Sequence, residues 1–325
     1  MIRSLISVLL LTTAAHAAKT LDIYFIDTEG GQATLVVSPS GQAMLVDTGY
    51  AGFGGRDANR IATAAKLAHV KRINVLFLTH HHKDHAGGVK NLLEVLPVES
   101  FYDHGGDVEN GNKYSKDYTQ AMGNAPHTVY KPGDKIPVKD LDITVVVGAQ
   151  KHPETKGDPN PFCAGLAPKD GETGENPQSG GVVVQFGKFR FADLGDIIWN
   201  EELALLCPEN HVGKVDLLLT PHHGTHLSPP ADYAMAPRVV IMNDGPTKGG
   251  SAQAYKMWSA MKGLEDLWQL HFAMAAGKDG NSPDTFIANV EEKCEGKYLK
   301  VTAHEDGSFT VYNSRNKYTK TYAMK

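Results

Sequence analysis

The chain has 325 residues, 41% of them hydrophobic and 21% charged, which is ordinary globular usage and excludes a disordered, collagen-like or coiled-coil chain. Lys and Arg number 32 against 37 Asp and Glu, so a net charge of −5 offers no broad cationic field for a nucleic acid backbone, and no stable nucleic-acid complex is expected. Fifteen histidines against three cysteines make imidazole and carboxylate, rather than thiolate, the expected metal ligands.

In chain order, Arg3, the apolar run 5–15 and Ala15-His16-Ala17 read as an export signal with an A-x-A cleavage site. The run falls short of the ~20 residues a membrane span requires, and no later stretch is longer and as apolar. A periplasmic or secreted protein is expected, with 1–17 removed and residues 18–325 as the mature chain. Residues 21–26, 33–37 and 43–46 alternate with Glu29-Gly-Gly and Pro39-Ser-Gly turns, the pattern of antiparallel strands. A helix over 57–70 would put Ile61, Ala64, Ala65 and Ala68 on one face, with Asp57 as its cap. A buried strand over 73–78 leads into a His-rich loop and a helix over 88–96.

Further on come a strand over 141–147, a long Gly-, Pro-, Lys- and Glu-rich loop over 152–181, and a hairpin turning at Gly187-Lys188. Two buried strands, 215–219 and 238–242, each end in a polar or Gly-rich turn, and a hairpin over 298–312 closes the chain. With no linker and no repeat, this order predicts one α/β domain: two mixed β-sheets packed face to face with helices outside, an αββα sandwich. Cys163 and Cys207 both fall in loops and are the preferred pair in an oxidising compartment, leaving Cys294 over. Such a bridge would contribute roughly 4 kcal/mol on the chain-entropy model.

Thr79-His80-His81-His82-Lys83-Asp84-His85-Ala86-Gly87-Gly88 follows the strand ending at Leu78. A tight loop at a strand end can aim His80 and His82 at one metal while Asp84 and His85 reach a second, and neutral imidazoles with one carboxylate suit zinc.

This His-x-His-x-Asp-His pattern resembles the signature of the metallo-β-lactamase superfamily, whose αββα sandwich carries two metals between its sheets. The resemblance runs over residues 21–242 and includes three more motifs in the family's order. Asp47-Thr-Gly resembles the early Asp motif that supports the site from behind the ligands, Leu194-Gly195-Asp196 the motif whose Asp bridges the metals, and Thr220-Pro-His222-His223-Gly224 the final His motif. Within the superfamily the likeness is closest to the exported hydrolase domain of DNA-uptake (competence) proteins, through Phe25-Ile-Asp-Thr-Glu-Gly-Gly-Gln, Leu194-Gly-Asp and His222-His-Gly. That group and the related choline-phosphate esterases act on phosphodiesters.

The resemblance implies His80, His82, Asp84, His85, Asp196 and His222 as metal ligands, with His222 favoured over His223 because it directly follows the strand-terminal Thr220-Pro221. One or two Zn2+ ions are expected, two favoured. The superfamily's third His of the first site is replaced by Asn176, a weaker ligand, and His104, His127 or His152 could substitute. Zinc lowers the pKa of its water towards ~7, so hydroxide forms at neutral pH. Asp84 and Asp196 would position the metals and orient that hydroxide, Asp47 would steady the ligands, and His226 could protonate a leaving group. His69, His211, His271 and His304 read as structural. The Asn243-Asp-Gly-Pro-Thr-Lys248-Gly-Gly-Ser loop is either an anion receptor or a surface turn. The expected activity is hydrolysis of a small-molecule or oligomeric phosphodiester or related ester; a lactone or β-lactam hydrolase and a non-catalytic metal-stabilised binding protein are the alternatives. Glu, the residue that the superfamily's di-iron oxidoreductases carry at this place, is absent at His82.

Overall fold

In a computed structural model, residues 19–171 and 173–325 are described; the expected export signal lies outside them. The first half runs β1 Leu21–Phe25, β2 Thr34–Val37, β3 Ala43–Val46, α1 Arg56–Leu67, β4 Val75–Phe77, α2 Val89–Val95, β5 Phe101–Asp103, α3 Lys113–Met122 and β6 His127–Val129. The middle runs β7 Asp142–Val147, the short β8 Asp158–Pro159, β9 Gly181–Phe186, β10 Phe189–Asp193, α4 Trp199–Leu206, the short β11 Glu209–Asn210, β12 Leu217–Leu219, β13 Val239–Met242, α5 Ala252–Ser259, β14 Asp266–His271 and β15 Ile287–Asn289. The chain ends with β16 Leu299–Ala303, β17 Phe309–Asn313 and β18 Thr319–Tyr322.

Two mixed sheets result, in the orders β18-β17-β16-β1-β2-β3-β4-β5-β6 and β15-β14-β13-β12-β10-β9-β7. Their strands read as continuous apolar runs because both faces are buried. Leu21, Ile23 and Phe25 of β1, with Val75 and Phe77 of β4, face the inter-sheet core, where Val182, Val184, Phe191, Leu217 and Ile241 meet them. Tyr24 and Leu76, one residue out of phase, turn instead to the layer beneath α1 and α2 with Ile61, Ala65 and Leu92. The second sheet repeats the pattern with Val183, Leu218 and Val240 under Leu206 and Trp258. The alternation is the two-residue period of a strand applied to both faces of each sheet, and Phe25 meets Phe191 edge-on across the interface at 5.6 Å between ring centroids.

The αββα architecture is therefore as expected. Local differences have local causes. Asp57 does not cap α1: the cap position is Gly55, and Asp57 sits buried in the first turn, where Oδ2 accepts the Tyr50 N–H and Oδ1 pairs with Arg56. The elements β5, α3, α5 and β14 had no clear signature in the sequence reading; β5 has three residues, and α5 and β14 carry mixed polar and apolar faces. Among the described residues no helix is long and apolar enough to cross a membrane.

Strands β3, β4 and β5 are parallel, as are β10, β12, β13 and β14. The turns after β3, β4, β10, β12 and β13 hold Asp47, the His loop, Asp196, His222-His223 and Asn243, so the site is assembled at carboxyl ends of strands, where open α/β sheets bind ligands. Cys163 and Cys207 form the expected disulfide, joining the long loop to the end of α4. Replacing both by Ser is expected to lower unfolding stability by roughly 4 kcal/mol, read by denaturant titration.

Candidate metal centre

The site starts from Asp47, held in the left-handed region at φ 60°, a sparsely populated conformation that persists where the surroundings fix it. Its carboxylate accepts the backbone N–H of Thr79 at 2.8 Å and the Thr79 hydroxyl at 2.7 Å, and faces His85 Nδ1 at 2.6 Å. The Thr79 Oγ1 lies 3.0 Å from His80 Nδ1. With both Nδ1 atoms engaged on this side, His80 and His85 present Nε2 to the cleft, which is how a carboxylate behind an imidazole orients a metal ligand. Gly88 closes the loop against Thr48, where a Cβ would lie 2.0 Å from the carbonyl oxygen.

At the centre of the cleft is one oxygen, Asp196 Oδ2. His85 Nε2 lies 3.1 Å from it, His223 Nε2 3.2 Å, His222 Nε2 3.7 Å and His80 Nε2 4.0 Å. Asp84 Oδ2 adds contacts of 3.3 Å to both His85 Nε2 and His223 Nε2, and pairs with Lys248. One donor atom from each of Asp84, His85, Asp196 and His223 lies within 4.8 Å of the others, and all four residues are buried. On the other side of Asp196, His80 Nε2 lies 2.9 Å from His82 Nδ1, and His82 Nε2 reaches Glu109 at 3.1 Å. Gly195, at φ 59°, lets Asp196 approach this group; a Cβ there would lie 2.9 Å from the Thr79 Cβ.

These residues fit a metal pair. Zinc bonds to nitrogen of 2.0–2.1 Å imply tetrahedral N···N edges of about 3.3 Å, close to the 2.9 Å of His80–His82 and the 3.2 Å of His85–His223. Asp196 Oδ1 is buried and has no hydrogen-bond partner among the described residues, as has the Asn243 Oδ1. Asn243 Nδ2 lies 3.1 Å from His223 Nδ1. Turning that amide over gives Oδ1 to an Nδ1–H of His223, the tautomer that leaves Nε2 free for a cation.

The charges lean the same way. Burial, with His85 beside it, holds His80 well below the usual imidazole range. Burial also pulls His222 down to about 4 despite Asp196, so both rings are neutral donors at neutral pH. Burial opposes ionisation of Asp84 and Asp196, but the surrounding imidazoles keep both well below the usual carboxylate range. His85 goes the other way: burial would lower it, and the Asp196, Asp47 and Asp84 carboxylates raise it well above normal.

The sequence-derived candidates thus separate. His80, Asp84, His85 and Asp196 converge, and Asp47 stands behind His85. His82 joins through His80 and is partly exposed. His222 borders the cluster, while His223, set behind the ligands in the sequence reading, is fully buried within it. Both residues adopt positive φ, 49° and 56°, which splays the two rings to centroids 6.2 Å apart; no sequence signal announces that backbone. His226 packs its ring against His222 at 4.7 Å.

Asn176 opens a one-turn helix after Glu175, and the three histidines that could replace it are engaged elsewhere. His104 Nε2 pairs with Glu175 at 2.9 Å, His127 Nε2 with Asp103 at 2.8 Å, and His152 stacks on His211. Glu175 was not anticipated: it also accepts the N–H groups of His81 and Val108, and these bonds with His104 outweigh burial and hold it at about 2. It ties the His loop to residues 104–108. Nor is the loop after β13 a loose turn. Lys248 pairs with Asp84, and a Cβ on Gly245 would lie 2.3 Å from the Glu29 backbone.

Beside Asp196 a cavity of about 210 Å³ is lined by Lys169, Trp199, Glu202, His222, His226 and Leu227, among others. Burial raises Glu202 to about 8, and burial with Glu202 nearby raises Asp232 well above normal, so this carboxyl pair is protonated in the neutral range. The Ser228 hydroxyl donates to Glu202 at 2.7 Å.

Residues 26–173 match the family model of the metallo-beta-lactamase superfamily, and the chain carries a domain of that superfamily, the fold of metal-dependent hydrolases. No curated protein matches the sequence. Among solved structures, the chain is similar in fold to the metallo-beta-lactamase fold protein YhfI from Bacillus subtilis (11% identity, 77% of this chain and 95% of that one, TM-score 0.44). It is similar also to Tm1679, a metal-dependent hydrolase of the beta-lactamase superfamily (13% identity, 78% and 96% coverage, TM-score 0.48).

A folded-state carboxyl raised above its unfolded value stabilises the fold at low pH and loses that contribution as pH rises through the folded value. The melting temperature is therefore expected to fall between about pH 5 and pH 9, with a shallower fall for Glu202→Gln; an unchanged slope in the variant would refute a buried neutral Glu202.

Proposed function

We propose that the protein is an exported zinc-dependent hydrolase acting on a phosphodiester or related ester. The observation that carries this reading is the single oxygen of Asp196 within 4.0 Å of four imidazole nitrogens, a concentration of neutral donors and carboxylates that suits cations. His80, His82 and Asp196 would hold one ion; Asp84, His85, Asp196 and the His222-His223 pair would hold the other. Bound there, zinc supplies a water of lowered pKa and polarises the bond under attack.

The chain's own groups do the remainder. Asp47 and Thr79 fix the tautomers of His80 and His85, Asp84 and Asp196 orient the attacking water, and His226, on the wall of the adjoining cavity, stands where it can protonate a leaving group. Lys248 beside Asp84 and Lys169 at the cavity give an anionic substrate two local cations, which favours the phosphodiester despite the net negative charge. Trp199 and Leu227 in the same cavity favour a second reading, an apolar lactone or a β-lactam. Export is supported by the sequence of residues 1–17 and by the Cys163–Cys207 disulfide, a bond characteristic of oxidising compartments.

Metal-replete protein should turn over a chromogenic phosphodiester faster than a lactone panel or a chromogenic lactam. Chelation should abolish turnover and zinc restore it, while His85→Ala and Asp196→Asn should lower it by about 100-fold or more. Faster turnover of lactones or lactams would select the second reading. Full activity in chelated protein would refute a metal hydrolase, and no activity on any substrate with the metal bound would leave a binding protein.

A further inference from the structure

A second cluster of donor atoms shares no residue with the hydrolytic cleft. Asp27 lies in the turn after β1, His271 is the last residue of β14, and Cys294 sits in the loop between β15 and β16. His271 Nε2 is 2.8 Å from Asp27 Oδ1 and 3.7 Å from Cys294 Sγ, and Sγ is 3.1 Å from Asp27 Oδ2. Asp27 and His271 are fully buried; Cys294 is partly exposed, next to a cavity of about 340 Å³ lined by Arg60 and residues 295–297, among others. His271, which in sequence looked like a histidine without partners, is thus the centre of a group. The group is not a nucleophilic triad, because Asp27 and Cys294 approach the same ring nitrogen rather than opposite ones.

We propose that Asp27, His271 and Cys294 form a separate structural site for a thiophilic divalent cation such as zinc. One donor atom from each lies within 4.8 Å of the others, and sulfur, nitrogen and oxygen together form a donor set that zinc accepts. Arg60 donates to Asp27 Oδ2 at 2.9 Å, so Oδ1 is the oxygen offered to the cation, and a ligating carboxylate is ordinarily held by such an outer partner. Glu29 Oε1, 3.8 Å from Sγ, stands near a fourth position.

Charge balances as well. The carboxylates of Asp27, Glu29 and Asp57 face the guanidinium groups of Arg56 and Arg60. With Cys294 ionised, two negative charges are in excess, which one divalent cation neutralises. As the Sγ–metal and Nε2–metal bonds form, the thiol S–H and the His271 Nε2–H bonds break and their protons go to solvent. The ion would pin the turn after β1 in one sheet to the end of β14 in the other, and would hold residues 290–298 over both.

Cys294 is the chain's single free thiol, since the other two of its three cysteines are bridged. Cobalt added to chelated full-length protein should therefore give a thiolate-to-cobalt charge-transfer band, which the His and Asp ligands of the hydrolytic cleft cannot produce. Cys294→Ser should lose the band and one equivalent of bound metal while retaining hydrolysis. In the wild-type protein, saturating zinc should slow labelling of the thiol by a disulfide reagent about tenfold or more. Absence of the band, together with labelling unchanged by zinc, would overturn the site and leave an Asp27–His271–Arg60 ion-pair network. Neither readout depends on which substrate the hydrolytic centre uses.

Discussion

A carboxylate taken out of water needs compensating charge or hydrogen bonds, and Asp196 is buried with one oxygen unpartnered and the other ringed by imidazoles. Imidazole alone compensates poorly here. His80 and His222 are themselves buried and driven towards neutrality, leaving a dense set of lone pairs facing two carboxylates. Such a group is stable as a set when a cation sits among it. The strained backbone at Asp47, His222 and His223, each at a left-handed φ, belongs to the same requirement, because extended or helical backbone would aim these side chains away from the common point.

The fold makes that convergence possible by bringing different turns to one end of a sandwich. The inter-sheet core of Phe25, Phe77, Phe191 and their neighbours fixes the sheets face to face, and the ligands lie one to ten residues beyond the ends of β4, β10 and β12. Interactions around the ligands then remove their remaining freedom. Asp47 and Thr79 act on His80 and His85, Asn243 acts on His223, and Glu175 holds the backbone of the His loop against residues 104–108. Gln32, which donates to Asp193 and lies near Asn243, links the turn after β1 to the same centre.

Much of this was legible in the sequence. Strands buried on both faces show as apolar runs, and ligand residues at strand ends show as spaced His and Asp, so the sandwich and the convergence of His80, Asp84, His85 and Asp196 could be read directly. What could not be read depends on backbone conformation and long-range contact. Choosing between His222 and His223 turns on two successive positive φ values that neither residue type advertises. Glu109 and Glu175 meet the His loop from distant segments, and the partners of His271 are 244 residues before it and 23 after it. The Cys163–Cys207 pairing was accessible because loop placement narrowed three cysteines to one pair.

Two kinds of cation site would then share one sandwich: an imidazole-rich centre bordering a cavity, and a thiolate-containing staple away from it. The whole account rests on Asp196 standing between two cations. Crystallography of zinc-loaded protein with anomalous scattering at the zinc edge tests this most directly. Two zinc peaks in contact with Asp196, one facing His80 and His82 and the other Asp84, His85 and the His222-His223 pair, are predicted. A zinc-saturated crystal with no peak beside Asp196 would contradict the account.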